Sequence, residues 1–385
     1  MSLITSGTLN TLVKILASGA AGAVIYWVIK KTSIEDDQIQ QILEYERRQY
    51  QLQLQQQQFQ QQQSTSSSSL QSSSGGINHK RSRSLSNSTD ASISLVDLLQ
   101  NTLIEYILGD DTHNVITIDS LSTLDYALMR MNENNVTSLP VVDLQHKQYI
   151  GMLSIVDVCS FLGSQPTNEF APNTSVAEVL KYNREPFVPL FVNSPIQLLI
   201  HIMTQRVSQV AIMSNETVVV DIVSRLNVIK FIYDNIEALG NKSSASLSSL
   251  SLLSKSITTI NSSQKVIDAL HKLNNEHITE IAVVNDDGHL IGSFSSSDLR
   301  KLSIYTFNRC LEPISMFIKV SEDPLAIDES IIINPSSTLR STIRKFVESE
   351  SPILWIVDNQ NKPVSAVTQL SLLKYFLNLS TSMND

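Results

Sequence analysis

A short pattern that recurs four times constrains the fold of this chain more than any other feature. The first copy, at residues 150–158, reads IGMLSIVDV and carries a hydroxyl three residues before an acid. The acid position recurs at spacings of 70, 71 and 73 residues, and it is occupied in turn by Asp157, Asn227, Asp298 and Ser371. The hydroxyl position moves with it, as Ser154, Ser224, Ser295 and Thr368. A fixed period of this length predicts four copies of one structural unit.

The residues around each copy predict the same order of elements. Apolar runs such as residues 139–143 and 281–285 indicate buried strands about ten residues before the hydroxyl. A helical pattern precedes each run, as at residues 124–131, and a second helix is predicted after the acid, over 156–162 and 299–304. One unit is therefore strand, helix, strand, turn, strand, helix. A lone unit of this size is too small to bury both faces of its sheet, so pairs are expected.

The unit resembles the CBS (cystathionine-beta-synthase) domain, in which a glycine is followed at three-residue steps by a hydroxyl and an acid. The complete triplet occurs twice, as Gly151, Ser154 and Asp157 and as Gly292, Ser295 and Asp298. The layout of residues 95–379, including the segment 186–190 and the connection 305–319, is similar to that of the gamma subunit of AMP-activated protein kinase. The resemblance implies an α+β fold of four CBS-type repeats in two pseudo-twofold tandem pairs.

The composition of the connections predicts how the chain is divided. We expect a hydrophobic segment at 1–31, a Gln/Ser-rich helix and disordered linker at 32–94, repeats at 95–165, 172–239, 257–308 and 309–379, and a serine-rich linker at 240–256. Because that linker has few strong core-forming residues, it is expected to be a flexible strap between two compact pairs. The pairs can still stack into a disc, as in the kinase gamma subunits.

The first 31 residues have the features of a membrane anchor. Residues 15–29 carry no charge, but at about 1.5 Å per residue they span about 22 Å, less than a hydrocarbon core of about 30 Å. Lys14 can extend its charge to the interface, which lengthens the span to residues 9–29. Lys30 and Lys31 follow an aromatic pair, which places the repeats in the cytosol. A core helix in a cytoplasmic protein is the alternative.

Residues 49–94 have biased composition and no predicted core. The glutamine tract at 49–63 either prolongs the preceding helix or self-associates. Serine-rich residues 64–94 are expected to be disordered. Ser84 and Ser86 each follow an arginine by three residues, a spacing typical of basophilic kinase sites, and an unmodified linker is the equal alternative.

Charge and motif content exclude several function classes. A net charge of −9 argues against a nucleic-acid binder, which needs a basic surface to neutralise phosphates. Two cysteines, Cys159 and Cys310, provide no disulfide framework and suit a reducing compartment. Nucleophile elbows, phosphate loops and dinucleotide glycine fingerprints do not occur, and the histidines lack the spacing of a metal site. We therefore expect that the chain is not an enzyme and that it binds neither a cofactor nor a metal.

The resemblance implies which residues hold a ligand. In family members that bind adenine nucleotides, the hydroxyl and the acid hold the ribose, and basic residues before the apolar strand hold the phosphates. The implied ligand residues are Ser154, Asp157, Ser295, Asp298, Asn227 and Arg300. The corresponding ligand is AMP, ADP, ATP or an S-adenosyl compound.

Two observations weaken this ligand assignment. Residues 137–138, 208–209 and 352–353 contain no basic residue, whereas the gamma subunits have one at these positions. At least two of the four sites are therefore expected not to bind a nucleotide. Arg225 and Arg300 are the best remaining cations. The alternative role of each acid is to cap the helix that follows it.

Two functional hypotheses follow. The first is a regulatory module that binds an adenosine-type ligand and transmits its state to a protein partner, such as kinase subunits. The second is a membrane-tethered scaffold whose clefts are structural. A third hypothesis, the cytosolic tail of a channel, is weakened because one marginal span cannot form a pore.

Overall fold

The computed structural model describes most of the repeat region. The described residues are 93–108, 115–146, 148–165, 173–183, 185, 187–205, 207–215, 218–254, 256–302, 306–318 and 331–381. The predicted anchor, the glutamine tract and all but the last two residues of the segment 32–94 lie outside them. Residues 93–385 form one compact unit.

The predicted order of elements is found in repeats 1 to 3, and repeat 4 differs by the absence of its first strand among the described residues. The strands are β1 (Ile118–Asp119), β2 (Ser138–Asp143), β3 (Gln148–Ser154), β4 (Leu190–Phe191), β5 (Gln209–Asn215), β6 (Val218–Ser224), β7 (Thr259–Asn261), β8 (Glu280–Val284), β9 (Leu290–Ser295), β10 (Ile353–Val357) and β11 (Pro363–Thr368). The α-helices are α1 (Leu95–Asn101), α2 (Leu124–Glu133), α3 (Ile155–Ser164), α4 (Val176–Val179), α5 (Ile196–Thr204), α6 (Arg225–Asp234), α7 (Val266–Glu276), α8 (Ile314–Phe317), α9 (Leu339–Ser349) and α10 (Gln369–Thr381). Short 3₁₀ helices occupy Ile104–Tyr106, Leu180–Tyr182, Ile236–Ser244, Ser296–Lys301 and Phe307–Leu311.

The sheets share one topology. The first strand of each of repeats 1 to 3 pairs in parallel with the second, and the second pairs antiparallel with the third, giving the orders β1-β2-β3, β4-β5-β6 and β7-β8-β9. In repeat 4, β10 pairs with β11, and a parallel bridge from Ile332 to Trp355 replaces the first strand. Parallel and antiparallel pairing joined by helices is the predicted α+β fold.

The sequence of α9 shows why the helices form where they do. Thr338 caps the helix, because its hydroxyl accepts from the Ser341 N–H at 3.2 Å. Leu339, Ile343 and Phe346 are fully buried, and their spacing of four and three residues forms one apolar stripe. Capping and burial together therefore fix the register of α9 against the core.

In each tandem pair, a segment at the N-terminal side of one repeat bonds to the other repeat. The antiparallel bridges join Leu103 to Pro195, Ser175 to Thr123, Ser246 to Thr338 and Pro313 to Lys265. The N-terminal segment of repeat 1 thus packs on repeat 2, and the N-terminal segment of repeat 2 packs on repeat 1. The same exchange relates repeats 3 and 4. Each tandem pair is therefore interlocked, which gives a physical reason why the repeats occur in pairs.

The serine-rich segment 240–256 is not the flexible strap that its composition predicted. Leu247 is fully buried, and its N–H donates to the Ser337 carbonyl at 3.0 Å. Leu252 is also buried, and the Ser254 N–H donates to the Ala366 carbonyl at 2.9 Å. The expectation was wrong because two leucines and paired backbone groups are enough to fix the segment on repeat 4.

The sheets pack within pairs and the helices pack between pairs. Ala282, Trp355 and Ala366 lie in one apolar cluster between the sheets of repeats 3 and 4. Another apolar core is continuous from repeat 1 to repeat 3. Gly163 in α3 allows this approach, since a Cβ at that position would lie 3.0 Å from the Leu270 carbonyl oxygen. The two tandem pairs therefore pack against each other, as the resemblance to the kinase gamma subunits allowed.

One predicted helix has a different form. The helix expected over residues 299–304 is the 3₁₀ helix Ser296–Lys301, which begins three residues earlier. It starts at the end of β9 because Ser295 and Asp298 cap it there. Residues 303–305 lie outside the described part of the chain.

Candidate functional site

The repeated hydroxyl and acid stand at a junction between a strand and a helix. Ser154 is the last residue of β3, and Asp157 lies in the first turn of α3. The N–H and the hydroxyl of Ser154 each donate to Asp157 Oδ2 at 2.8 Å. In return, the Asp157 N–H donates to Ser154 Oγ at 3.2 Å. This reciprocal capping box satisfies two N–H groups at the helix start.

The same capping geometry recurs in the other repeats. The Ser224 N–H donates to Asn227 Oδ1 at 2.9 Å, and the Ser295 N–H donates to Asp298 Oδ2 at 2.9 Å. In repeat 4, the Thr368 N–H donates to the Ser371 hydroxyl at 3.1 Å. The capping alternative is therefore confirmed for Asp157 and Asp298, and Asn227 and Ser371 have the same capping role in the other two repeats.

The four capping boxes differ in how far solvent can reach them. Ser154 is 3% exposed and Asp157 is 0% exposed, so a ligand cannot reach them without a rearrangement. Ser295 and Asp298 are half-buried, and Asn227 is exposed. Accessibility and an intact acid thus coincide only at Ser295 and Asp298 among the four boxes.

Polar side chains bond to one another where repeats 1 and 2 meet. Gln209 Nε2 donates to Thr137 Oγ1 at 2.8 Å across the pair. The N–H and hydroxyl of Ser208 donate to the Glu185 carboxylate at 2.9 and 2.7 Å. Residues 137 and 208–209 are at the positions where the resemblance implied basic residues that bind phosphate. A carboxylate now lies there, so phosphate is disfavoured in this cleft.

The two remaining cations serve the fold. Arg225 Nη2 donates to the Val207 carbonyl at 3.0 Å and to the Met203 carbonyl at 3.3 Å near the end of α5. Burial lowers the pKa of Arg225, and the charge of Glu185 opposes this effect. Arg300 Nη1 donates to Asn135 Oδ1 in repeat 1 at 2.8 Å. Both guanidinium groups are therefore engaged away from a phosphate, and the ligand role of Arg300 stays a prediction.

The cleft between repeats 3 and 4 contains an acid that the sequence analysis missed. Glu280 begins β8 and lies directly opposite Ser295 in the register of β8 and β9. Because side chains alternate along a strand, Glu280 shares the face of Ala282, which packs against Trp355 of repeat 4. An acid at the head of an otherwise apolar strand was the signal that could have identified it.

A short chain of hydrogen bonds holds one oxygen of Glu280. Trp355 Nε1 donates to Ser293 Oγ at 3.2 Å, and the Ser293 hydroxyl donates to Glu280 Oε1. Glu280 is 8% exposed, and its Oε2 has no hydrogen-bond partner among the described residues. Burial raises the pKa of this carboxyl to about 8, the bond from Ser293 opposes the rise, and the charge of Asp298 adds to it. One oxygen of this buried carboxyl therefore has no hydrogen-bond partner among the described residues.

The described part of the chain contains no cluster of three or more His, Cys, Asp or Glu side chains arranged for a metal. Cys159 and Cys310 are both buried and are not joined in a disulfide, and burial raises the pKa of Cys310 to about 12. No helix in the same ranges is both long and apolar enough to span a bilayer, and the predicted anchor at 9–29 lies outside them.

Sequence comparison identifies the repeats. A family model described as the CBS domain matches residues 108–164 and 249–305, which fall on repeats 1 and 3. The protein SDS23 of Kluyveromyces lactis is 26% identical over 316 residues, which cover 73% of this chain and 61% of that protein. The protein sds23 of Neosartorya fischeri is 29% identical over 157 residues, 37% of this chain and 29% of that protein. The chain thus matches less than two thirds of the length of these curated relatives.

Structural comparison supports the arrangement of the repeats. The protein MJ1225 of Methanocaldococcus jannaschii, a proposed archaeal homologue of the AMP-activated protein kinase gamma subunit, superposes with a TM-score of 0.58. The match covers 71% of this chain and 100% of that protein, at 21% sequence identity, which establishes the fold alone. With the sequence match and the four capping boxes, the chain is a four-repeat CBS-domain protein similar in layout to that gamma subunit.

Proposed function

We propose that the chain is a non-catalytic regulatory module that binds an adenosine-type ligand between repeats 3 and 4. The observation that carries the proposal is the half-buried Ser295 and Asp298 pair beside the unpartnered Glu280 Oε2. Among the four capping boxes, only that of Ser295 and Asp298 has both an acid and access to solvent. A carboxylate can accept from two ribose hydroxyls, so the residue types fit the ligand class.

The same site is linked to the rest of the molecule. Asp298 caps the 3₁₀ helix Ser296–Lys301, and Arg300 in that helix donates to Asn135 of repeat 1. Leu299 and Leu302 lie in the core that continues into repeat 1. A ligand that moves Asp298 would therefore bias the packing between the two pairs. We propose that a protein partner, such as a kinase complex, reads this packing.

Calorimetric titration of the full chain tests the ligand assignment. We expect at least one of AMP, ADP, ATP, adenosine and S-adenosylmethionine to bind and to raise the melting temperature by mass action. Asp298→Ala should remove binding, while the loss of the cap costs about 0.5 to 2 kcal/mol of stability. Ser371→Ala is the matched control, because it removes the equivalent cap in repeat 4 and should leave affinity unchanged. Undiminished affinity in Asp298→Ala would refute the assignment.

A scaffold with structural clefts is the second candidate. Repeats 1 and 2 favour it, since Asp157 is fully buried and Gln209 is bonded to Thr137 across the cleft. If none of the five compounds binds to the folded chain, the scaffold function replaces the ligand-sensing one.

We also propose that residues 9–29 hold the protein on a membrane with the repeats in the cytosol. The uncharged run and the following Lys30 and Lys31 support this proposal. Carbonate extraction should retain the full chain in the membrane fraction and release a chain that begins at Ser33. Equal release of both would contradict the anchor.

A further inference from the structure

Two hydrogen bonds of the same kind join the tandem pairs. In each, a cation on the helix that follows a capping box of one pair meets a residue at the end of a helix in the other pair. Arg300 Nη1 donates to Asn135 Oδ1 at 2.8 Å, and Lys230 Nζ donates to Glu350 Oε1 at 2.7 Å. Asn135 and Glu350 both have a left-handed backbone, with φ of 51° and 52°, just after α2 and α9 end. The two contacts are therefore equivalent in position, one between repeats 3 and 1 and the other between repeats 2 and 4.

The helices that carry the two cations differ in how well they support themselves. Lys230 lies on α6, an α-helix of ten residues. Arg300 lies on the 3₁₀ helix Ser296–Lys301, which has six residues. A 3₁₀ helix has poorer hydrogen-bond geometry than an α-helix and is uncommon beyond about three or four residues. The position of this helix therefore depends on contacts from outside it.

Those contacts come from both tandem pairs. At the start of the helix, Asp298 Oδ2 accepts from the N–H and the hydroxyl of Ser295 at 2.9 and 3.2 Å. Leu299 is fully buried in the core that continues into repeat 1. Arg300 is bound on two sides, since its Nε donates to the Ser297 carbonyl at 3.2 Å while its Nη1 bonds to repeat 1. Because Asp298 and Arg300 belong to one short helix, the bond to repeat 1 also fixes where the Asp298 carboxylate lies.

We propose that Arg300 is a positioning residue for the ligand site, and that its bond to Asn135 makes ligand affinity in the cleft of repeats 3 and 4 depend on the contact between the two pairs. This inference rests on the proposed function and names how that same site is regulated. The bond holds the 3₁₀ helix, and with it Asp298, in place before the ligand binds, and a preorganised site binds more tightly than one that must first be ordered. Because coupling between two equilibria is reciprocal, a bound ligand in turn strengthens the contact between repeats 3 and 1.

Titration calorimetry of the full chain and of its variants tests the inference. Arg300→Met keeps a long side chain and removes the donors, and Asn135→Gly removes the acceptor at a left-handed position that glycine adopts readily. The probe is whichever of adenosine, AMP, ADP, ATP and S-adenosylmethionine binds the wild type most tightly. We expect each variant to bind it about two- to tenfold more weakly, which corresponds to the net contribution of one hydrogen bond. The double variant should bind no more weakly than Arg300→Met alone, because both substitutions remove the same contact.

Lys230→Met is the matched control. It removes the equivalent contact between repeats 2 and 4, so it should leave the affinity unchanged. Melting curves check that every variant is folded at the temperature of the titration.

Three results would overturn the inference and leave the proposed function standing. The first is an unchanged affinity in Arg300→Met, and the second is an equal loss of affinity in Lys230→Met. The third is a loss in Arg300→Met that Asn135→Gly does not share, because Arg300 would then contact the ligand directly. Failure of all five compounds to bind the wild type would overturn both the inference and the proposed function.

Discussion

Neutralising Glu280 should change how the stability of the protein depends on pH. Burial raises the pKa of this carboxyl from its ordinary value of 4.5 to about 8. The folded chain therefore keeps a proton that the unfolded chain releases above pH 4.5, and the free energy of unfolding falls as the pH rises towards 8. At about 1.4 kcal/mol per pKa unit, this group alone removes up to about 5 kcal/mol across that interval. Above pH 8 its contribution is constant.

Urea denaturation of the wild type and of Glu280→Gln at pH 5, 6, 7, 8 and 9 measures this effect. The difference between the two proteins cancels the other titrating groups, so the variant should gain stability relative to the wild type by several kcal/mol between pH 5 and 8. Glu178→Gln is the control, because Glu178 is exposed on α4 and bonded to Lys181. It should follow the wild-type curve. Parallel pH profiles for the wild type and Glu280→Gln would refute the burial and the altered ionisation of Glu280.

Three further predictions concern the fold. Gly163→Val should destabilise the unit by about 1 to 3 kcal/mol, because a side chain at this position meets the Leu270 carbonyl. An unchanged midpoint of urea denaturation would contradict the close approach of α3 and α7. Leu247→Ala should cost about 2 to 5 kcal/mol, and limited proteolysis should spare residues 240–254, whereas early cuts there would restore the flexible strap. His201 is buried without hydrogen-bond partners for its ring among the described residues, and burial lowers its pKa, so the folded state loses stability as the pH falls below 6.5. In His201→Leu the melting temperature should fall less between pH 7.5 and 5 than in the wild type, and an equal fall would contradict this reading.

The repeated elements could be predicted because their information is local. The apolar runs at 139–143 and 281–285 lie in the observed strands β2 and β8 or directly after them, and the hydroxyl positions end a strand as expected. The capping role of Asp157 and Asp298 also follows from short-range spacing. The repeat spacing of 70 to 73 residues was therefore enough to predict the fold class and the arrangement of the repeats in pairs.

Other features depend on contacts between distant parts of the chain. The serine-rich composition of 240–256 gave no sign that Leu247 is buried by repeat 4, because the bridge from Ser246 to Thr338 spans almost one hundred residues. Arg225 and Arg300 were the best remaining cations in the sequence. Arg225 donates to the Val207 carbonyl and Arg300 donates to Asn135, partners that only the folded arrangement brings near. Local pattern cannot reveal such partners.

The candidate site divides in the same way. Ser295 and Asp298 were predicted from the repeated pattern, whereas Glu280 was missed because one acid in an apolar strand has no periodic signal. Its significance appears only when the register places it opposite Ser295 and the packing places Trp355 above Ser293. The burial of Glu280 and its bond to Ser293 are therefore properties of the tertiary structure.

Amide hydrogen exchange of the full chain, with and without a saturating concentration of whichever of the five adenosine compounds binds most tightly, tests the central claim most directly. The ligand should slow exchange at the start of β8, across Ser295–Lys301 and in β10 around Trp355, because binding to the folded state suppresses local opening at the site. Residues 154–157 should exchange at the same rate in both samples, since that box is buried in the unliganded protein. Slowed exchange confined to repeats 1 and 2, or no change in the repeat 3 and 4 cleft at a saturating concentration, would contradict the account.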